Sequence, residues 1–156
     1  IISKTNIVNH MKIIETKEDL KEYKHILWKK FWKSKNIDLI YFEKTYEIKE
    51  KNTRIGYIDV YVLNGVLYVD DILIEEEHRG KGIGKKIMEF IDTLAKNNNC
   101  HKIRLQTSSL HMPNAFHLYK NSGYSVETKF KNDWFNDDWE IMSKFIDDNL
   151  NSKSET

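Results

Sequence analysis

Leu67-Tyr68-Val69-Asp70-Asp71-Ile72-Leu73-Ile74, then Glu75-Glu76-Glu77-His78, then Arg79-Gly80-Lys81-Gly82-Ile83-Gly84-Lys85-Lys86: this run decides the fold. Its first part, Val66 to Ile74, is rich in β-branched, aliphatic and aromatic residues and reads as a strand. The glutamates read as a solvated turn whose negative charge favours the positive end of a following helix. That helix is marked by Ile83, Ile87, Phe90, Ile91 and Leu94 and ends in the run Asn97-Asn98-Asn99. Between turn and helix lies a glycine-rich loop. Backbone N–H groups at a helix start point outward without helical partners and carry the positive end of the helix dipole, so they attract anions. Glycines let an anion approach with no Cβ in the way. Arg79, Lys81, Lys85 and Lys86 add positive charge to the same place.

Upstream, Asn64-Gly65 is a two-residue hairpin turn joining a strand over Arg54 to Leu63 with the one from Val66 to Ile74. Tyr46 and Ile48 alternate with charged neighbours and open the strand region near Thr45. Thr16 to Lys35 reads as a helix, with Leu20, Tyr23, Leu27 and Phe31 on one face, Trp28 and Trp32 beside it, and Thr16 as N-cap. A short apolar stretch, Met11 to Ile14, precedes it. Downstream, Lys102 to Thr107 is a strand with Ile103 and Leu105 on one side. Pro113 suits the first turn of a short helix that stops at Gly123. Tyr124 to Phe130 and Trp139 to Phe145 read as closing strands. The order of elements predicts a mixed α/β layout with one sheet covered by helices. The expected organisation is a leader over 1–10, one domain over 11–148 and a mobile polar tail over 149–156, with Met11 a candidate initiator.

Composition sets bounds. With 156 residues, 40% hydrophobic and 31% charged, the chain reads as a globular domain. A net charge of +1, from 25 Lys and Arg against 24 Asp and Glu, argues against a nucleic-acid coat protein. No apolar run approaches the roughly 20 residues that span a bilayer, and the first ten residues lack the pattern of a secretory signal. The single cysteine, Cys100, fits a reducing, cytoplasmic setting.

Two familiar phosphate loops fail on residues they require. A Walker A loop ending at Gly84-Lys85 needs glycine at 79 and a hydroxyl at 86, where the chain has Arg79 and Lys86. A dinucleotide G-x-G-x-x-G needs glycine at 85 or 87, which are Lys85 and Ile87. What remains is the pattern [Arg/Gln]-x-x-Gly-x-[Gly/Ala], filled by Arg79, Gly82 and Gly84. It resembles the pyrophosphate signature of the GNAT acyl-CoA N-acyltransferases. A second run, Ala115-Phe116-His117-Leu118-Tyr119-Lys120-Asn121-Ser122-Gly123-Tyr124, resembles the family motif A-x-x-[Phe/Leu]-Tyr-x-x-x-Gly-[Phe/Tyr], and the strand over 67–74 looks like the family's fourth strand.

The resemblance implies a GNAT fold, a single mixed, mostly antiparallel sheet flanked by helices on both faces. It implies acetyl-CoA as acyl donor, an amine acceptor, and neither metal, membrane nor nucleic acid. The oligomeric state stays open, a homodimer among the options. Arg79, Gly80, Lys81, Gly82, Ile83, Gly84 and Lys85 would hold the pyrophosphate, while backbone groups of Ile72, Leu73 and Ile74 would grip the pantetheine arm and polarise the thioester carbonyl. Acetyl transfer needs a neutral amine, a stabilised oxyanion and a proton for the departing thiolate. By resemblance Tyr119 supplies that proton; on pattern alone it is equally a core aromatic. Asp70-Asp71 resembles the acidic pair of diamine (spermidine/spermine) acetyltransferases, which makes Asp70 the candidate base; strand alternation puts it on the face of Ile72 and Ile74, with Asp71 opposite. The acceptor implied is a small amine, with a protein N-terminus or lysine, or a non-catalytic acyl-CoA binder, as alternatives. Met112 stands where many members carry a cofactor-contacting asparagine, and Asn114 follows it.

The remaining chemistry-bearing residues have plainer readings. His78, His101, His111 and His117 lack zinc-ligand spacing. Cys100 reads as a packing residue. Asp133-Trp134-Phe135-Asn136-Asp137-Asp138-Trp139 either clamps an organic cation or forms a surface turn anchored by Trp139, and the turn is the simpler of the two.

Overall fold

The computed structural model describes residues 14–146. The leader over 1–10, Met11 and the tail from Asn149 lie outside them. The chain divides into two compact units after Leu39. In the first, α1 spans Lys21–Lys33. It starts later than the expected cap: Thr16 Oγ1 accepts from the Glu18 N–H, and Asp19 Oδ1 accepts from the Lys21 N–H at 2.9 Å. Trp28 and Trp32 stack at 6.0 Å with Phe31 set edge-on to both, and none of the helix's residues is buried.

The second unit is built on one six-stranded sheet. Its strands are β1 Tyr41–Glu50, β2 Thr53–Leu63, β3 Val66–Ile74, β4 Lys102–Thr107, β5 Ser125–Phe130 and β6 Trp139–Phe145. The spatial order is β1-β2-β3-β4-β6-β5. Every pairing is antiparallel except β3 with β4, because the chain between those two strands climbs back through α2, Ile83–Asn97. The hairpin turn forms at Asn64-Gly65, both residues at positive φ (46° and 84°), as a two-residue turn with this hand requires.

Ile58, Val60 and Val62 of β2, Leu67 and Val69 of β3, Ile103 and Leu105 of β4, and Met142 of β6 form one side of the core. Ile87, Met88, Ile91 and Ala95 of α2, spaced as one helix face, cover it. The second helix of this unit, α3, spans Pro113–Asn121 and adds Phe116, Leu118 and Tyr119 to the same core. Cys100 is buried there, and burial pushes its thiol up. No described helix is long and apolar enough to cross a membrane.

Candidate functional site

The sheet is interrupted in its middle. Strands β3 and β4 pair from Val66↔Lys102 to Val69↔Leu105 and no further. Beyond that, β3 stays paired with β2 to Ile74, and β4 stays paired with β6 to Thr107↔Glu140. The two strands therefore part, leaving a wedge between Asp70–Ile74 and Gln106–Thr107. Its local cause is a bulge: Asp59 faces Asp71 while the next residue, Val60, faces Val69, so Asp70 is the extra residue. A bulge adds twist and bends its strand away from a neighbour. The Thr107 hydroxyl, at the end of β4 beside the wedge, is fully buried and has no hydrogen-bond partner among the described residues.

Gly56 of β2 lies behind this segment. A Cβ there would stand 2.2 Å from the Leu73 carbonyl oxygen, so only glycine lets the open end of β3 lie so close to β2. Nothing in the local sequence signals this, because the conflict is with a backbone atom of a different strand.

The glycine loop closes one end of the wedge. Gly80 and Gly82 hold φ of 75° and 78°, and a Cβ at either would meet no described atom within 4 Å, so both face open space. Gly82 is the N-cap of α2 and supplies no side-chain cap, and no acid stands in the helix's first turn. Among the described residues no ion pair neutralises Arg79, Lys81, Lys85 or Lys86. Arg79 spends its Nε–H on the Ile74 carbonyl at 2.8 Å, tying the loop to the end of β3. A helix start without a capping side chain, in a segment rich in cations that form no ion pair among the described residues, has the character that attracts an anion.

Gly84 has a different task. A Cβ on it would stand 2.7 Å from Leu118 Cδ2, so its lack of a side chain lets α3 seat against α2. The Tyr119 phenol is pushed up by burial and then by the negative charge of Asp71, so it holds its proton at neutral pH and suits the role of acid. Its ring lies 6.1 Å from that of Tyr124.

The structure rearranges the acids. Asp70, in the bulge, adds its charge to Tyr41 and Tyr61, and Tyr41 is carried to about 12, chiefly by its hydrogen bond to Glu43. The extra residue breaks the simple alternation, so Asp70 is not simply grouped with Ile72 and Ile74. Asp71 occupies the regular rung opposite Asp59 and accepts a 2.5 Å hydrogen bond from the Tyr57 hydroxyl. Met112, in the place of the family asparagine, is the N-cap of α3 and gives no side-chain cap.

The aromatic hairpin is an anchored turn. Buried Trp139 donates from Nε1 to the Trp134 carbonyl at 3.0 Å, while Phe135 is 80% exposed and holds φ of 60°. Sequence reasoning missed the partner of His111: Nε2 lies 2.8 Å from Asp137 Oδ2, and the ring stacks on Trp139. It also missed that the 3₁₀ turn Glu76–His78 brings ligand atoms of Glu75, Glu77 and His78 within 4.8 Å of one another; the His78 ring is already engaged by Glu50 at 3.0 Å.

Comparison with known proteins agrees with this geometry. Residues 9–124 match the acetyltransferase (GNAT) family. Over 84 residues the chain is 34% identical to the uncharacterized N-acetyltransferase YobR of Bacillus subtilis (strain 168), covering 54% of this chain and 32% of that protein; it thus spans about a third of this curated relative's length. An acetyltransferase from Bacillus cereus ATCC 14579 superposes with a TM-score of 0.65 at 21% identity, over 86% of this chain and 98% of the other. A GNAT family acetyltransferase from Elizabethkingia anophelis with acetyl-CoA bound superposes with a TM-score of 0.61 at 19% identity, over 66% of this chain and 76% of the other. The fold, the bulged and parted strands and the glycine loop thus coincide with a match across most of the sequence, and the chain belongs to the acetyltransferase (GNAT) family.

Proposed function

We propose that the chain is an acetyl-CoA-dependent N-acetyltransferase that moves the acetyl group directly to a primary amine, a small molecule such as a polyamine or a related amine, in a cytoplasmic setting and without a metal. The observation that carries this is the wedge between β3 and β4, which meets the uncapped helix start of α2 at one end. An extended arm bearing amides is well served by a strand edge that has lost its neighbour, and a diphosphate by the loop. In this reading Arg79, Gly80, Lys81, Gly82, Ile83, Gly84 and Lys85 hold the diphosphate, and Ile72, Leu73 and Ile74 hold the arm and polarise the carbonyl through their backbone. The orphaned Thr107 hydroxyl and the open space before Gly80 and Gly82 fit a ligand of that shape.

Acetyl-CoA supplies an activated thioester. The protein's share is to align, to exclude water and to manage protons. Tyr119, kept neutral by burial, donates its phenolic proton to the leaving sulfur. Asp70, an exposed acid, draws in a protonated amine and is the candidate base that takes its proton. The curated relative is itself named an N-acetyltransferase, which supports the same reaction class.

The test is calorimetric titration of acetyl-CoA into the folded chain, followed by an amine panel read as free thiol. Micromolar binding and amine-dependent thiol release are expected. Release with small amines alone supports the small-molecule reading, release with peptides alone replaces it by a protein acceptor, and binding without release makes the chain an acyl-CoA binder.

A further inference from the structure

Four rings gather at the end of the sheet where the wedge opens. The wedge lies beyond the rung Val69↔Leu105, and β4 ends there at Thr107↔Glu140. Two loops leave the same end: Ser108 to Met112, which leads into α3, and Lys131 to Asp138, which joins β5 to β6. Buried Glu140 holds the first loop, accepting from the Ser109 N–H at 3.0 Å and from the Ser109 hydroxyl at 2.7 Å. His111 ties that loop to the second through Asp137. Its ring lies 6.0 Å from that of Trp139 and 5.9 Å from that of Phe135, and the Trp134 ring lies 4.7 Å from that of Trp139. Trp139 is buried, whereas Phe135 and Trp134 are exposed, as are Leu110 and Met112 of the first loop. Single exposed apolar residues are ordinary, but a joined cluster of rings beside a cleft marks a binding surface.

The acids of the hairpin already have partners. Asp137 is engaged by His111, and Asp138 by Lys131 at 2.7 Å and Lys129 at 3.4 Å. Asp133 accepts from the Gln106 amide at 3.4 Å. A second ammonium group on the acceptor would have to displace these contacts. A planar apolar group needs only ring faces and edges, which the cluster offers.

Resting on the acetyltransferase reading above, we infer that this cluster is the subsite for the acceptor's non-reacting part, and that it selects small amines carrying an aromatic ring over polyamines. Phe135 and Trp134 are the specificity-determining residues. They pack against the ring of the acceptor while its amino group reaches the wedge. His111 and Glu140 keep the two loops, and hence the rings, together.

The experiment measures thiol release from acetyl-CoA with 2-phenylethylamine and with 1,4-diaminobutane, both protonated at neutral pH. The parent should favour 2-phenylethylamine by at least about fivefold in kcat/KM, the scale of one aromatic contact. Phe135→Ala should lower that ratio about tenfold, with the KM for 2-phenylethylamine carrying the loss, as expected when uniform binding is removed. Phe135→Tyr, which keeps the ring, should hold the ratio within about twofold of the parent's. Acetyl-CoA affinity by calorimetry should stay within about twofold in both variants and so reports an intact fold. A parent that favours the diamine, an unchanged ratio in Phe135→Ala, or an equal loss in Phe135→Tyr overturns the inference and leaves the transferase reading standing. Release only with a peptide that begins in phenylalanine also overturns it, since the acceptor is then a protein. A parent that releases no thiol with any amine or peptide overturns both.

Discussion

From Val66 to Val69, β3 is zipped to β4; from Asp70 to Ile74 it is not. The two stretches belong to one strand, yet they obey different rules. In the zipped half both edges of the strand are satisfied and the side chains are sealed, with Leu67 and Ile103 fully buried. The other face of this half carries Lys102, whose Nζ lies 2.5 Å from Glu127 and 5.1 Å from the centre of the Phe145 ring. In the open half Asp70, Asp71 and Leu73 are exposed. Burial is concentrated where the ladder is complete, and backbone groups are left without a strand partner where it is not, the stretch on which the proposed chemistry rests.

Substitutions should separate the two. Ile103→Ala, in the closed half, should cost about 2–5 kcal/mol of stability through a core cavity, seen as a lower urea midpoint; turnover per folded molecule should stay near the parent's. Gly82→Val should abolish the heat of acetyl-CoA binding, because a branched side chain would fill the space the loop keeps clear and would strain a residue at φ 78°. Tyr119→Phe should lower kcat about a hundredfold and leave acetyl-CoA affinity within about twofold, which stopped-flow thiol detection and calorimetry can separate. Gly84→Ala should need only a shift of the Leu118 side chain, whose terminal methyl is the atom in conflict, so kcat should fall by no more than about twofold and a crystal structure should show a changed Leu118 rotamer.

The smallest effect concerns pH in the closed half. Glu127 is held below the ordinary carboxylate range first by its hydrogen bond from Lys102 and then by that from Ser143. A carboxyl lowered in the folded state adds stability above its unfolded pKa and loses it as the pH falls through the folded value. Thermal midpoints of the parent and Glu127→Gln should therefore differ at neutral pH, by a few degrees at most since the pair is partly solvated, and converge in acid once the pH has fallen through the lowered folded value.

Local rules made much of this legible. Asn64-Gly65 named its turn because few residue pairs accept two successive positive φ angles. The bounds of β3, β4 and β6, and both ends of α2, followed from composition and spacing. The loop was found because its glycines and cations are contiguous. What escaped depends on partners far along the chain. The bulge at Asp70 exists only as an offset between two strands, so alternation along one strand could not reveal it. The needs of Gly56 for Leu73 and of Gly84 for Leu118, and the pairing of His111 with Asp137, join residues between 17 and 34 positions apart, and no window on the sequence contains them. The start of α1 was misplaced because Thr16 and Asp19 each cap a neighbouring N–H, and both satisfy the same local rule.

Seen by its connections, the sheet is a pair of three-stranded antiparallel ribbons, β1-β2-β3 and β4-β6-β5, sewn together by the four parallel rungs from Val66↔Lys102 to Val69↔Leu105. The ribbon β1-β2-β3 closes through tight turns, whereas the seam joins residues 36 positions apart across the α2 crossover, so the seam should mature after that ribbon. Amide exchange should be faster along that seam than within the ribbon β1-β2-β3, and any molecule that bridges both lips should slow it.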